Sequence, residues 1–379
     1  MGLIADFEKT IGRFKLNIHL AAGDDSLSLL GASGCGKSMT LKCIAGIERP
    51  DKGRIELNGV TLFDSEQGID LPPQERRVGY LFQEGALFPN MTILDNVVCG
   101  IREKMQKREK QRIAREMLTK MHLSDTCKRR PDSLSGGQRQ RAALARILVG
   151  KPEILLLDEP FSALDSHLRF ELERVVSDTM RELAKPAIFV SHNRDEAFRI
   201  TDRIAIMKEG AIEIEGDRHR VFADPQTVYA ARMTGCKIVA SVVYRQGDGS
   251  FVSKSEDKRT VPLSALSDVC EDKRTVPVSP MTTVYVPDWG IELAVPHCDR
   301  PVSAIGIRMH DIILGPGEIN EFTCKVEEEI ENPFSYTIML QPADSKCLGV
   351  ELDKTTWETA RAESVTIHIP PENVLLLRE

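Results

Sequence analysis

Eight residues near the N-terminus, Gly31-Ala32-Ser33-Gly34-Cys35-Gly36-Lys37-Ser38, constrain this chain more than any other stretch. They fit the pattern GxxxxGK[ST]. Before them lies a strand-like run, Ser26–Leu30, and after them a helix-like run from Lys37 to about Ala45. Small residues let successive backbone N–H groups point inward at a cluster of phosphate oxygens. The helix N-terminus adds its positive dipole end. In such a loop Lys37 reaches the β- and γ-phosphates of a nucleoside triphosphate, and Ser38 ligates Mg²⁺. An unrelated glycine turn would need neither the strand before it nor the helix after it.

A second element completes the site. The run Ile154-Leu155-Leu156-Leu157-Asp158-Glu159 reads as a buried strand that delivers Asp158 to the Mg²⁺ shell. Glu159 follows beside the γ-phosphate, placed to polarise an attacking water as a general base. An apolar run ending in two carboxylates is weak evidence alone, and it gains its meaning from the phosphate loop.

Leu134-Ser135-Gly136-Gly137-Gln138, ahead of an Arg/Ala-rich helix, reproduces the LSGGQ signature, and on these motifs the chain resembles the ABC ATPases. The three motifs stand in that family's order and spacing. The resemblance assigns Gln83 to the Q-loop and to the Mg²⁺ shell, Ser162-Ala163-Leu164-Asp165 to the D-loop, and His192, after the strand-like IFVS, to the switch histidine. It implies a homodimer in which Ser135 and the backbone of Gly136 and Gly137 complete the partner's ATP site. ATP closes the dimer, hydrolysis opens it, and Gln83 couples the site to a membrane partner. Family members commonly stack adenine on an aromatic residue upstream of the loop. Phe14 is the nearest such residue and Phe7 the second, and each reads equally well as core. Met39 follows the loop and belongs to the same ATP-binding stretch.

The fold class expected is α/β: a P-loop NTPase core with a helical subdomain at about 84–150, over residues 1–235. A small all-β, OB-like barrel follows over residues 236–379. The split rests on pattern. Up to Gly235 strand-like and helix-like segments alternate, as in a mostly parallel sheet, and 104–122 carries Ile113, Met117, Leu118 and Met121 at helical spacing. Beyond it helix signals fade, and short β-rich runs at 237–244, 282–286, 305–309, 335–340 and 365–369 alternate with Pro and Gly. The heptapeptide EDKRTVP occurs at 256–262 and again at 271–277. That spacing is too short for a solenoid, and the repeat reads as a local duplication without chemistry.

The remaining bulk features narrow the role. No apolar run approaches the roughly 20 residues that span a bilayer. The first ten residues, MGLIADFEKT, lack the pattern of a signal peptide. A peripheral position on the cytoplasmic face of the membrane, reached through a partner, is therefore expected. A net charge of −7 argues against a nucleic-acid partner. The basic stretch 102–115 reads first as a solvated helix face. Nine scattered cysteines without a CxxC pair indicate free thiols in a reducing compartment.

Finer resemblance points to binding-protein-dependent importers, with integral permease subunits and a substrate-binding protein as partners. The block at 49–100, with LPPQERRVGYLFQ at 71–83, is similar to molybdate importer ATPases. So are IGIRMHD at 305–311 and NPFSYTIML at 332–340. The cargo expected is molybdate or tungstate, with sulfate or thiosulfate, iron and polyamine as alternatives. The C-terminal part resembles TOBE/MOP-like domains, either as an anion sensor or as a dimer platform. A non-transport ABC ATPase in translation or DNA repair is the competing class. Such chains carry two nucleotide domains or a long coiled coil, and this one has neither.

Overall fold

The computed structural model describes residues 2–82, 86–161, 169–170, 173–174, 176–178, 186–245, 251–252, 281–298, 300, 302–342 and 345–379. Gln83, the 162–165 segment with Asp165, and both copies of the EDKRTVP heptapeptide lie outside those residues. The chain divides into two compact units, Met1–Val221 and Phe222–Glu379.

In the first unit, β1 (Leu3–Ile11) and β2 (Phe14–Ala22) alternate buried apolar with exposed polar residues, the period of a sheet with one wet face. They pair antiparallel from Leu3↔Ala22 to Ile11↔Phe14. β3 (Ser26–Leu30) then runs into α1 (Lys37–Ala45). β4 (Lys52–Leu57), β5 (Val60–Asp64) and β6 (Ile69–Asp70) extend the first sheet to the order β2-β1-β4-β5-β6.

β7 (Val78–Leu81) opens the second sheet. The helices α2 (Ile93–Gly100), α3 (Lys107–Lys120) and α4 (Gly136–Leu148) follow, then β8 (Ile154–Asp158), β9 (Ala187–Val190), α5 (Arg194–Ile200), β10 (Arg203–Lys208) and β11 (Ala211–Asp217). The second sheet has the order β11-β10-β3-β9-β8-β7 and is parallel except for the edge pair β10–β11. Every residue of β3, β8 and β9 is buried, as parallel strands covered on both faces require. One face packs on α1 and the first sheet through Leu41, Ile44, Ile18 and Phe63. The other packs on the three-helix segment through Leu118, Leu144, Leu148 and Phe189. The loops after β3, β8 and β9 thus leave the sheet at the C-terminal ends of neighbouring strands, where open α/β sheets bind ligands.

Helix α3 confirms the solvated reading of the basic stretch. Arg112 is exposed and pairs with Glu109 at 2.7 Å and Glu116 at 2.5 Å on its own helix face.

The second unit contains α6 (Val228–Met233), β12 (Ile238–Ser241), β13 (Val243–Arg245), β14 (Phe251–Val252), β15 (Met281–Val286), β16 (Ile291–Pro296), β17 (Ala304–Ile307), β18 (Ile313–Leu314), β19 (Glu321–Glu331), β20 (Ser335–Pro342), β21 (Leu348–Asp353), α7 (Lys354–Ala360), β22 (Ser364–His368) and β23 (Leu375–Leu377). Its strands form antiparallel sheets of order β12-β17-β23, β14-β13-β15-β16 and β18-β22-β19-β20-β21. Val284, Leu293, Ile305, Ile338, Val350 and Ile367 belong to one shared core. The unit begins ahead of Gly235 because residues 226–236 pack on its last strand. Val228 N–H donates to Arg378 O and Arg378 N–H to Gln226 O, and Ala231 and Cys236 share a cluster with Leu375 and Leu377. A helix also forms where helix signals were absent. In α7 the Asp353 side chain accepts from Thr356 N–H, and the fully buried Trp357 anchors a turn that Lys-Thr-Thr would not hold by propensity.

Arg76, within the LPPQERRVGYLFQ block, holds the far end of α1. It is 1% exposed, and its guanidinium donates to Cys43 O and Ile44 O at 2.9 Å each, to Leu71 O at 2.7 Å and to Asp70 at 2.9 Å. Ile44 O has no further helical turn to bond to, while Cys43 O also accepts from the Gly46 N–H at 3.1 Å. Gly46 must stay glycine, since its φ is 76° and a Cβ there would lie 2.4 Å from Arg76 Nε. Arg76→Met should therefore lower unfolding free energy by about 3 kcal/mol, read from denaturant midpoints, by stranding these buried acceptors.

Candidate nucleotide site

The loop after β3 turns back on itself because of its glycines. Gly34 has φ 82° and Gly36 φ 109°, both in the left-handed region that other residues enter only at a cost. At Gly36 a Cβ would also meet Leu16 Cδ1 at 2.6 Å and Phe14 Cζ at 3.3 Å. Ala32, Ser33 and Gly34 form the exposed crown of the loop, while Gly31, Cys35 and Lys37 are buried and Met39 is half-buried. Lys37 Nζ donates to Gly31 O at 2.8 Å and Ala32 O at 3.0 Å, with Cys35 Sγ at 3.8 Å. These partners are neutral. The ammonium charge is therefore held at the loop and left for an anion. Of the two aromatic candidates, Phe14 is half-buried beside Gly36, and Phe7 is 1% exposed in the core.

Ser38, at the start of α1, donates its hydroxyl to Asp158 Oδ1 at 2.8 Å, and Tyr80 on β7 donates to Oδ2 at 3.1 Å. Burial pushes the Asp158 carboxyl up from its ordinary range, and these two hydrogen bonds pull it back. Burial also pushes the Tyr80 phenol up, so it stays a donor. Ser38 and Asp158 place two hard oxygens side by side, the donor type that Mg²⁺ takes, and so fit that ion. A cavity of about 480 Å³ opens beside them, lined by Ser38, Lys42, Tyr80, Phe82, Arg139 and Asp158 among others.

Glu159 leaves β8 with φ 50°, an uncommon conformation for this residue. Neighbours hold it there. Its N–H donates to Val190 O at 3.0 Å, and its carbonyl accepts from Gln140 Nε2 at 2.9 Å. The result sets Glu159 Oε1 3.2 Å from His192 Nδ1, with the histidine 63% exposed and the glutamate 21%. His192 itself is framed from both sides. Ser191 Oγ donates to the buried Glu196 carboxylate at 2.7 Å and accepts from Asn193 N–H at 2.9 Å, while the Asn193 side chain caps α5. Burial pushes Glu196 up, offset by the Ser191 hydrogen bond and Arg169.

The signature residues are ordered by their own capping box. Ser135 Oγ accepts from Gln138 N–H at 3.2 Å and Gln138 Oε1 accepts from Ser135 N–H at 3.1 Å. Leu134 is buried, while Ser135 and Gly136 are exposed and Gly137 half-buried. Among the described residues no hydrogen bond joins 134–138 to 31–38. The fold thus brings Ser38 to Asp158 and Glu159 to His192, and leaves the signature to face outward.

Sequence reading missed Tyr80, Gln140 and the Ser191–Glu196 pair. Gln140 carried one signal, a polar residue on the face of α4 that also buries Ala143 and Leu144.

A glycine loop on a helix N-terminus, a buried carboxylate beside its hydroxyl and a Glu–His pair on the next strand ends define a P-loop nucleotide-binding protein. A family model described as ABC transporter matches residues 15–162. The spermidine/putrescine import ATP-binding protein PotA of Nitratidesulfovibrio vulgaris is 40% identical over 255 residues, 66% of this chain and 67% of that one. The molybdenum import ATP-binding protein ModC of Paramagnetospirillum magneticum is 35% identical, covering 66% and 69%. The sulfate/thiosulfate import ATP-binding protein CysA of Mannheimia succiniciproducens is 42% identical, covering 61% and 65%. The chain thus spans about two thirds of the length of these curated relatives. A solved dimer of the ATP-binding cassette MJ0796, in a post-hydrolysis state with ADP and Pi, matches at TM-score 0.51 and 28% identity over 57% of this chain and 99% of that one. This chain belongs to the ABC transporter family of ATP-binding proteins.

Removing the hydroxyl that frames His192 should cost turnover and spare binding. Ser191→Ala is expected to lower the rate of ATP hydrolysis on the order of 10-fold at unchanged ATP affinity, with Ser191→Thr restoring it, as steady-state kinetics and nucleotide titration would read.

Proposed function

We propose that this chain is the ATP-hydrolysing motor subunit of an ABC importer, working as a homodimer on the cytoplasmic face of the membrane. The observation that carries the reading is the Glu159–His192 pair, 3.2 Å apart, on the strand ends beside the Ser38–Asp158 pair. Residues 31–39 and the α1 N-terminus hold the phosphates, Lys37 meets the terminal charge, and Phe14 is the side chain beside the loop for the adenine end. Ser38, Asp158 and Gln83 would hold Mg²⁺, which neutralises charge developing on the phosphate oxygens. Glu159 takes the proton of the attacking water, and His192 steadies the Glu159 carboxylate. Ser135, Gly136, Gly137 and Gln138 are the part of the signature offered to the partner's ATP, anchored by the buried Leu134, and Asp165 is assigned to the same interface.

No helix among the described residues is long and apolar enough to cross a membrane. Coupling then needs a permease partner. A groove of about 490 Å³, lined by Ile47, Phe82, Phe88, Cys99, Arg102 and Arg146 among others, supports one, because its apolar floor and basic rim remain accessible. A substrate-binding protein acts through that permease. We assign the cargo to molybdate or tungstate on the blocks at 71–83, 305–311 and 332–340, and the second unit to the TOBE/MOP-like accessory domains. Polyamine is the second reading, favoured by the 40% identity to PotA.

Two measurements test the proposal. Glu159→Gln should cut hydrolysis by about 100-fold or more and accumulate an ATP-bound dimer by size-exclusion chromatography, whereas Lys37→Ala should lose nucleotide affinity. A Glu159→Gln protein with full turnover removes the general base assigned here. In proteoliposomes holding the complete importer, ATP-dependent uptake of molybdate is expected, and uptake of spermidine in its place transfers the cargo to the second reading.

A further inference from the structure

The role of Tyr80 goes beyond the residues assigned so far. It stands on β7, next to β8, and its phenol donates to Asp158 Oδ2 at 3.1 Å while Ser38 occupies Oδ1 at 2.8 Å. The two oxygens of one buried carboxylate are thus addressed from opposite sides by two hydroxyls. Only one of them, Ser38, stands on the phosphate-loop helix. The Tyr80 ring packs edge-on against Phe82, with centroids 4.6 Å apart and planes at 68°. Both rings line the cavity beside Ser38 and also the separate groove bounded by Phe88 and Arg146. A carboxylate is free to rotate about its terminal torsion, and a hydrogen bond to one oxygen fixes where the other points.

We propose that Tyr80 is a positioning residue for the metal: it acts through Asp158, locking Oδ2 so that Oδ1 faces the oxygen of Ser38. Phe82 props the phenol in place. The proposal rests on the nucleotide-site reading above, with Ser38 and Asp158 holding Mg²⁺. It makes Tyr80 a residue whose loss is felt in metal dependence, since a phenylalanine at position 80 would keep the ring packing and lose only the donor. Groups that orient a metal-binding carboxylate typically contribute 10- to 100-fold in metal affinity or activity.

The experiment uses the full chain carrying Glu159→Gln, so that ATP is bound and not consumed. ATP binding is titrated by fluorescence with a nucleotide analogue, across Mg²⁺ concentrations and in excess EDTA. Tyr80→Phe should raise the half-saturating Mg²⁺ concentration by about 10-fold and leave the affinity in EDTA unchanged, while the lost hydrogen bond to the buried carboxylate lowers the melting temperature by a few degrees without unfolding the chain. Phe82→Ala, which keeps the phenol but removes its prop, should shift the Mg²⁺ midpoint in the same direction by a smaller factor. A Tyr80→Phe protein with the parent's Mg²⁺ midpoint overturns the proposal, as does an equal loss of affinity with and without Mg²⁺. If the parent protein binds ATP with no dependence on Mg²⁺, the failure lies in the reading of the Ser38–Asp158 pair, and the proposal falls with it.

Discussion

The Asp158 carboxylate is the point at which the nucleotide site is joined. It is 4% exposed, it ends the apolar strand β8, and it receives hydroxyls from α1 and from β7. A carboxylate this deeply placed is stable only if its oxygens are bonded, because unpaired burial of the charge would cost several kcal/mol. The requirement runs in both directions. Ser38 and Tyr80 satisfy the carboxylate, and the carboxylate ties the phosphate-loop helix to the strand that leads toward Gln83. The sheet order β3-β9-β8-β7 then sets the rest, since each strand contributes one turn to the same edge.

A similar economy governs Glu159. Its left-handed φ costs on the order of 1–3 kcal/mol, and three neighbours hold it: Val190 through the backbone, Gln140 through its amide and His192 through its ring. Gln140 lies on α4, two residues beyond the signature, so the helix that presents Ser135 outward also grips the carbonyl of Glu159 from within. One rigid element thereby touches both halves of the proposed chemistry, the carboxylate proposed as general base and the loop proposed to meet a partner. Strain and signature are coupled through α4.

Much of this was legible in the residues. The phosphate loop and the buried β8 ending in Asp158 carry local patterns that show without knowledge of the fold, whereas His192 after β9 stood out only through the family resemblance. The half-buried setting of Phe14 against the full burial of Phe7 was not legible, since both are aromatic residues in alternating strands. Arg76, Tyr80, Gln140 and the Ser191–Glu196 pair were silent for a different reason. Tyr80 and Gln140 bond across 78 and 19 residues, while Ser191 and, in part, Arg76 bond partners that are near in sequence but brought into reach only by turns, so none of these bonds leaves a periodicity. The boundary at Val221 and the helix α7 escaped for the same cause, because Arg378 and the pocket of Trp357 are tertiary facts. Chemistry was readable where a motif carries it, and opaque where a single polar side chain finds its partner only in the folded chain.

The groups proposed to meet phosphate share one property. Among the described residues Lys37 donates to the carbonyls of Gly31 and Ala32 and to the Cys35 sulfur, so its charge is positioned and not neutralised. Ser135 uses its hydroxyl oxygen as the acceptor of the Gln138 N–H, and among the described residues its hydroxyl hydrogen is left to donate. Gly34 and Gly36 turn the loop backbone through the left-handed region, the kind of conformation from which successive N–H groups can converge on an anion. A surface organised in that sense is suited to a polyanion, while the Ser38 and Asp158 oxygens at its edge are suited to the cation that accompanies one. The acidic net charge of the chain makes this local inversion sharper, because the donors must be concentrated at the two helix N-termini, of α1 and α4, where the backbone itself supplies positive potential.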